Sequence, residues 1–137
     1  MIVATKLYHR INEKLDKHLK AIEVNRSEFM VLHALASKGK QAIQSIAEKV
    51  FITSSTMTYT VDKLEKRGLI QRVPSPEDRR VIYIEMTDAG NTLWDKTIVD
   101  HVDDLGEMFA GVDKEELVQT IEMFKKIGRT IEEYDQK

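Results

Sequence analysis

Between Gly68 and Thr87 the apolar residues of this chain leave helical spacing for alternation, and that change of period constrains the fold more than any other feature. Leu69–Val73 reads as one strand. Val81–Met86 reads as a second, rich in β-branched and aromatic residues, with Ile82, Ile84 and Met86 on one face. The seven polar residues from Pro74 to Arg80 join them as the tip of a hairpin.

The flanks are helical. Leu7, Ile11, Leu15, Leu19 and Ile22 recur at spacings of four and three, which predicts a long amphipathic first helix. Asn25 and Glu28 form a capping box ahead of a second helix that carries Phe29, Leu32 and Leu35 and ends near Gly39. Ser45–Val50 is a short third helix. Thr53 caps a fourth, which runs to Arg67 and stops at Gly68. After the hairpin, Thr87 caps a fifth helix reaching about Ala110. Asp113 with Glu116 opens a sixth, along which Leu117, Ile121, Phe124, Ile127, Ile131 and Tyr134 keep helical spacing. The expected fold is mainly α with a small β-hairpin wing (α+β).

Length and composition bound the rest. A chain of 137 residues is one domain's worth, and no repeat or linker divides it. It has no cysteine, which excludes disulfides, thiolate zinc sites, a catalytic thiol and thiol redox sensing. No apolar run approaches a membrane span, and Met1–Leu19 is charged throughout, unlike a signal peptide. A cytoplasmic location is expected. The net charge of −2 hides a gradient: residues 1–39 and 40–84 each carry +3, and residues 85–137 carry −8. A basic front behind an acidic C-terminal third suits a chain that turns one side toward a polyanion.

The fourth helix and the hairpin tip say which polyanion. Met57, Val61 and Leu64 share one face and are expected to pack inward. The opposite face centres on Ser55, Tyr59 and Lys66, flanked by Thr58, Asp62 and Lys63, and Asp62 is expected to pair with Lys66 four residues on. Hydroxyls and amines on an exposed helix engage base edges and phosphates in the major groove. Arg79 and Arg80 stand at the tip beside Asp78, where arginines on a hairpin enter a minor groove or clamp phosphates.

These residues carry a resemblance. SIAEKV, then DKLEKRGLIQR, P-x-P-x-DRR and the closing M-T-x-A-G are together similar to the MarR family of bacterial regulators, and the likeness spans essentially the whole chain. It implies one MarR-like domain over residues 1–137, with a winged helix-turn-helix lobe at 25–87 and a helical dimerisation region from 1–24 and 88–137. It further implies a transcription regulator, a repressor that binds a palindromic operator in double-stranded DNA as a homodimer. Ser54, Ser55, Thr56, Thr58, Tyr59, Lys63 and Lys66 would lie on the recognition helix and Asp78, Arg79 and Arg80 on the wing. The apolar surface of the terminal helices, more than a lone lobe covers easily, agrees with the dimer.

The chain departs from the family at three points. Tyr59 stands where many members carry arginine, which favours an A/T-leaning half-site read by Ser55, Thr56, Thr58 and Tyr59. Phe51 occupies the turn between helices where a small residue is common. Ser75 replaces a frequent aspartate, which should slightly loosen the tip.

Family members commonly take a small aromatic or phenolic effector between the dimerisation helices and the lobe. The corresponding residues here would be Tyr8, His9, Asn12, Met30, His33, Trp94 and Ile98, although Met30 and Trp94 suit a core better than a pocket. His9, His18, His33 and His101 lack metal-ligand spacing among themselves, and His101 sits near Asp100, Asp103 and Asp104 in an acidic helix. No metal and no cofactor are expected. Neither a phosphate loop nor a nucleophile motif is present, so enzyme chemistry is not expected. The alternative from another class is a winged-helix protein-interaction module without specific DNA binding.

Overall fold

The computed structural model describes residues 2–50 and 52–135, so Phe51 lies outside the described residues. The elements run α1 (Ile2–Ala21), α2 (Arg26–Lys38), β1 (Gln41–Ala42), α3 (Ile43–Val50), α4 (Ser54–Lys66), β2 (Ile70–Pro74), β3 (Ile82–Met86), α5 (Asp88–Met108) and α6 (Lys114–Asp135). Two compact units divide the chain after Asp100. No described helix is long and apolar enough to cross a membrane.

In the first unit, local signals set the helix ends. The Asn25 side chain accepts from the Glu28 N–H at 2.9 Å, and the Asn25 N–H donates to Glu28 Oε2 at 2.7 Å, so the capping box is complete. Thr53 Oγ1 accepts from the Thr56 N–H. At the far end of α4, Gly68 adopts φ 71°, its N–H donates to the Glu65 carbonyl, and the Leu69 N–H donates to the Leu64 carbonyl. That double bond pattern is a Schellman stop, and it needs a left-handed residue that glycine supplies without strain.

The sheet has one strand more than the hairpin. β1, only two residues long, pairs antiparallel with β3 (Gln41 opposite Ile84), giving the order β1-β3-β2. A two-residue strand carries no period of its own, so nothing in the sequence marks it. It displaces the start of α3 to Ile43, two residues before the expected one. Strands β2 and β3 each begin one residue later than expected, with Ile70 opposite Met86 and Pro74 opposite Ile82. Ile84 is fully buried, whereas Ile82, beside the open tip, is 40% exposed.

The core joins Leu19, Val24, Phe29, Leu32, Leu35, Ile46, Met57, Val61, Leu64, Ile70, Ile84 and Trp94 into one cluster. Each element of this unit therefore buries one face, and α4 is left with its hydroxyl-rich face outward.

The second unit holds the end of α5 and α6. Asp113 Oδ1 accepts from the Glu115 N–H at 2.8 Å, and the Asp113 N–H reaches Glu116 Oε2, so the expected start of α6 is present. Ile121, Phe124, Ile127, Ile131 and Tyr134 follow along α6 with 47% or more of each exposed, a continuous apolar stripe.

Candidate nucleic-acid interface

Helix α4 presents its two faces as its sequence requires. Met57, Val61 and Leu64 are at most 1% exposed, while Ser54, Ser55, Thr56, Thr58, Tyr59, Lys63 and Lys66 are all exposed. Tyr59 stands out at 64% exposure, a large ring with no apolar cover. Thr58 Oγ1 donates to the Ser54 carbonyl, which fixes its rotamer and leaves the oxygen lone pairs outward.

Two basic residues at the C-terminal end of this helix meet one buried carboxylate. Lys63 Nζ lies 3.0 Å from Glu28 Oε1, and Arg67 lies 3.6 Å from Glu28 Oε2. Glu28 is fully buried, so the third residue of α2 both closes its own capping box and anchors the C-terminal half of α4. Arg67 also donates to the Glu23 carbonyl at 2.9 Å. Removing the carboxylate with Glu28→Ala loses the box and the ion pair together, and is expected to cost about 2–3 kcal/mol. Urea unfolding checks this; a loss below about 0.5 kcal/mol would mean that Glu28 is not an anchor.

Asp62 does not pair with Lys66. Its carboxylate is taken by Arg72 Nη2 from β2 at 2.5 Å, and Arg72 Nη1 contacts Glu65 on the next turn of the same helix. A residue ten positions away in sequence wins because β2 packs against the C-terminal half of α4, and a guanidinium reaches two carboxylates in one plane. The pattern D-x-x-E followed by arginine on a strand was the available signal. Among the described residues Lys66 has no ion pair and remains on the outer face.

At the wing, Ser75 is buried and its hydroxyl accepts from the N–H groups of Glu77 and Asp78, both at 3.3 Å. Serine thus closes the turn with its hydroxyl where aspartate would use a carboxylate. Asp78 Oδ1 accepts from the Arg80 N–H at 2.9 Å and from its Nε at 3.2 Å. The Arg80 side chain is still 91% exposed, and Arg79 is exposed with no ion pair among the described residues.

The Asp78 carboxyl is held below its ordinary range, first by the Arg80 side chain and then by the Arg80 backbone N–H. A carboxyl whose folded pKa is depressed adds order above its unfolded pKa of about 4. That order is lost as pH falls through the lower folded value. The turn is therefore expected to persist at pH 4 and open only in stronger acid. An NMR titration of Asp78 with an unshifted midpoint would contradict it.

A cleft of about 550 Å³ joins the two parts of the surface. Ile43 and Ala47 of α3, Ser54 and Thr58 of α4, and Arg80 and Ile82 of the wing line it together. The outward face of α4 and the wing thus border one cleft.

The expected effector residues scatter more. Phe29 stacks against His33 and tilts against Trp94, with centroids at 6.3 and 5.4 Å, and His33 meets Trp94 edge-on at 5.7 Å. Trp94 is a core residue, His33 is exposed, and Met30 and Ile98 are half-buried. Tyr8 and His9 lie exposed on α1 in edge-on contact with each other, and Asn12 is half-buried with its carbonyl accepting from Arg26. Phe29, absent from the expected set, is the ring that links His33 to Trp94. Among the described residues no group of histidines and carboxylates has the geometry of a metal site.

Two short helices followed by a hairpin with a basic tip, its β3 also paired with β1, define a winged helix-turn-helix protein. The MarR family pattern matches residues 24–82, the lobe itself. The HTH-type transcriptional regulator MhqR of Bacillus subtilis (strain 168) is 36% identical over 136 residues, which cover 99% of this chain and 94% of that protein. This chain belongs to the MarR family of DNA-binding transcription regulators. Its fold is that of a mutant MarR from E. coli complexed with operator DNA, with TM-score 0.82, 17% identity and coverage of 91% of this chain and 90% of that one. It is also similar to the PcaV regulator from Streptomyces coelicolor in complex with its natural ligand, with TM-score 0.78, 21% identity and coverage of 90% and 89%.

Proposed function

We propose that this regulator is a repressor that binds a palindromic operator as a homodimer, with α4 in the major groove and the wing on the adjacent minor groove. The observation that carries the reading is one cleft that joins Ser54 and Thr58 of the exposed hydroxyl-rich helix face to Arg80 of the wing, with Arg79 exposed beside it in sequence. Ser54, Ser55, Thr56, Thr58 and Tyr59 read the bases, and Lys66 holds a phosphate. Lys63, tethered to Glu28, adds positive potential from the edge of the face. Arg79 and the Asp78-braced Arg80 enter the minor groove. With Tyr59 in place of arginine, the helix lacks the bidentate donor that guanine recognition favours, so an A/T-leaning half-site follows.

Support for the dimer comes from the apolar stripe of α6 and from Ile2, Val3 and Leu7 of α1, all close to half exposed or more. Apolar faces of this length on a single chain mark an interface. A small aromatic or phenolic effector would meet the His33 and Trp94 rings, with Tyr8, His9, Asn12, Met30 and Ile98 as the further lining. Residues 25–87 serve as the DNA lobe and residues 1–24 and 88–137 as the dimerisation region, in the cytoplasm.

Selection against a random double-stranded DNA library, followed by a salt titration on the recovered duplex, tests the reading. A two-fold palindrome whose affinity falls by roughly a thousandfold between about 50 and 200 mM salt supports it. No enrichment from a folded protein favours the interaction module instead, and a G-anchored half-site removes the role given to Tyr59.

A further inference from the structure

A carboxylate on a surface that approaches phosphates needs an explanation, and Asp62 is such a residue. It lies on α4 one turn beyond Thr58 and Tyr59, and its side chain is 59% exposed. Left unpaired at a DNA-facing helix, it would repel the polyanion. The expected partner, Lys66, does not take it. Arg72 does, from the strand that leads into the wing; its side chain is only 27% exposed, and Asp62 and Glu65 both engage its guanidinium. Glu65 further accepts from the Arg72 backbone N–H at 3.3 Å, so the helix carboxylates grip both the main chain and the side chain of β2.

We infer that Arg72 is a positioning residue for operator binding: it does not contact DNA but masks Asp62 and fixes the recognition helix to the wing strand. The inference rests on the reading of α4 as the DNA-facing helix. Three features separate this role from that of an ordinary surface ion pair. The two carboxylates lie one turn apart on one helix, so a single planar fork meets both. The arginine comes from a different element, so the pair couples helix and wing. And Nη1 and Nη2 each meet a carboxylate of α4, so the arginine's charge is compensated within the protein.

The consequence is a specific rescue. Arg72→Ala leaves the Asp62 charge uncompensated and is expected to weaken binding of the selected duplex about tenfold. Because the exposed carboxylate opposes counterion release, the salt slope is expected to fall by about one. Adding Asp62→Asn to Arg72→Ala removes the repulsion and is expected to restore most of the affinity and the slope. A purely structural role would move thermal stability and leave the salt slope unchanged. Should Arg72→Ala not fold, Arg72→Gln keeps an amide donor without the charge, and the same rescue is expected in that background.

The probes are the duplex recovered by selection and a duplex of random sequence, measured with the full chain, with circular dichroism confirming the fold. A loss that Asp62→Asn fails to restore would show that repulsion by Asp62 is not what Arg72 relieves, which overturns the masking role. Unchanged affinity in Arg72→Ala would show that Asp62 does not face DNA and overturns it equally. A wild-type protein that enriches no duplex defeats the reading of α4, an outcome distinct from a binding protein indifferent to Arg72.

Discussion

Gly90→Ala is expected to lower the unfolding free energy by about 3 kcal/mol, the upper end of what one added methyl costs in a packed interior. Gly90 lies in the first turn of α5, where a Cβ would stand 2.0 Å from the Leu69 carbonyl oxygen and 3.0 Å from its carbon. No flexible side chain can give way there. The Leu69 carbonyl accepts from the Thr87 N–H at 3.1 Å, the Thr87 hydroxyl donates to the Gly68 carbonyl at 2.6 Å and accepts from the Gly90 N–H, and the Leu69 N–H closes the Schellman stop of α4. Moving Leu69 breaks the seam between α4, β2 and α5. Alanine's better helix propensity returns only about 1 kcal/mol. Urea unfolding of the variant against wild type is the measurement, and a loss under about 1 kcal/mol would mean that α5 can slide away from Leu69. The requirement also explains the glycine of the M-T-x-A-G run: it serves close approach, not a turn.

The other large effect is on DNA. Replacing Arg79 and Arg80 together with alanine is expected to cost about 1–3 kcal/mol of binding per arginine. Stability should stay within about 0.5 kcal/mol, because both side chains are exposed and the Arg80–Asp78 pair is a surface pair. Arg79→Ala alone should act on DNA only, since no ion pair in the described structure uses it. Arg80→Ala removes in addition the brace on Asp78, so the wing turn should become more mobile. Fluorescence anisotropy with the selected duplex separates the two, with amide exchange at the tip as the second readout. Wild-type affinity in the double variant would remove the wing from the interface.

Much of the lobe was legible because its signals are local. Asn25 and Glu28 lie three residues apart and need only each other and one helical turn. Thr53, Gly68 and Thr87 act within their own turns, and the inward row Met57–Val61–Leu64 follows from 3.6 residues per turn. The outward face of α4 and the exposed wing arginines came from the same periodicity and from the polar tip.

What the sequence left open depends on contacts between distant residues. Pairing of β1 with β3 joins Gln41 to Ile84, and two residues have no detectable period. Asp62 chose Arg72 over its helical neighbour Lys66 because the packing of β2 brings a guanidinium within reach of two carboxylates. Burial of Glu28 beneath Lys63 and Arg67, and the Leu69 carbonyl against Gly90, likewise exist only once α2, α4, β2 and α5 are assembled. Sequence neighbours within about one turn or strand were enough to place the helices, most of their ends, the hairpin and the outward hydroxyl-rich face of α4. The tertiary structure alone decided which charges are held and which remain free, because ion pairs are selected by distance in space rather than by spacing along the chain.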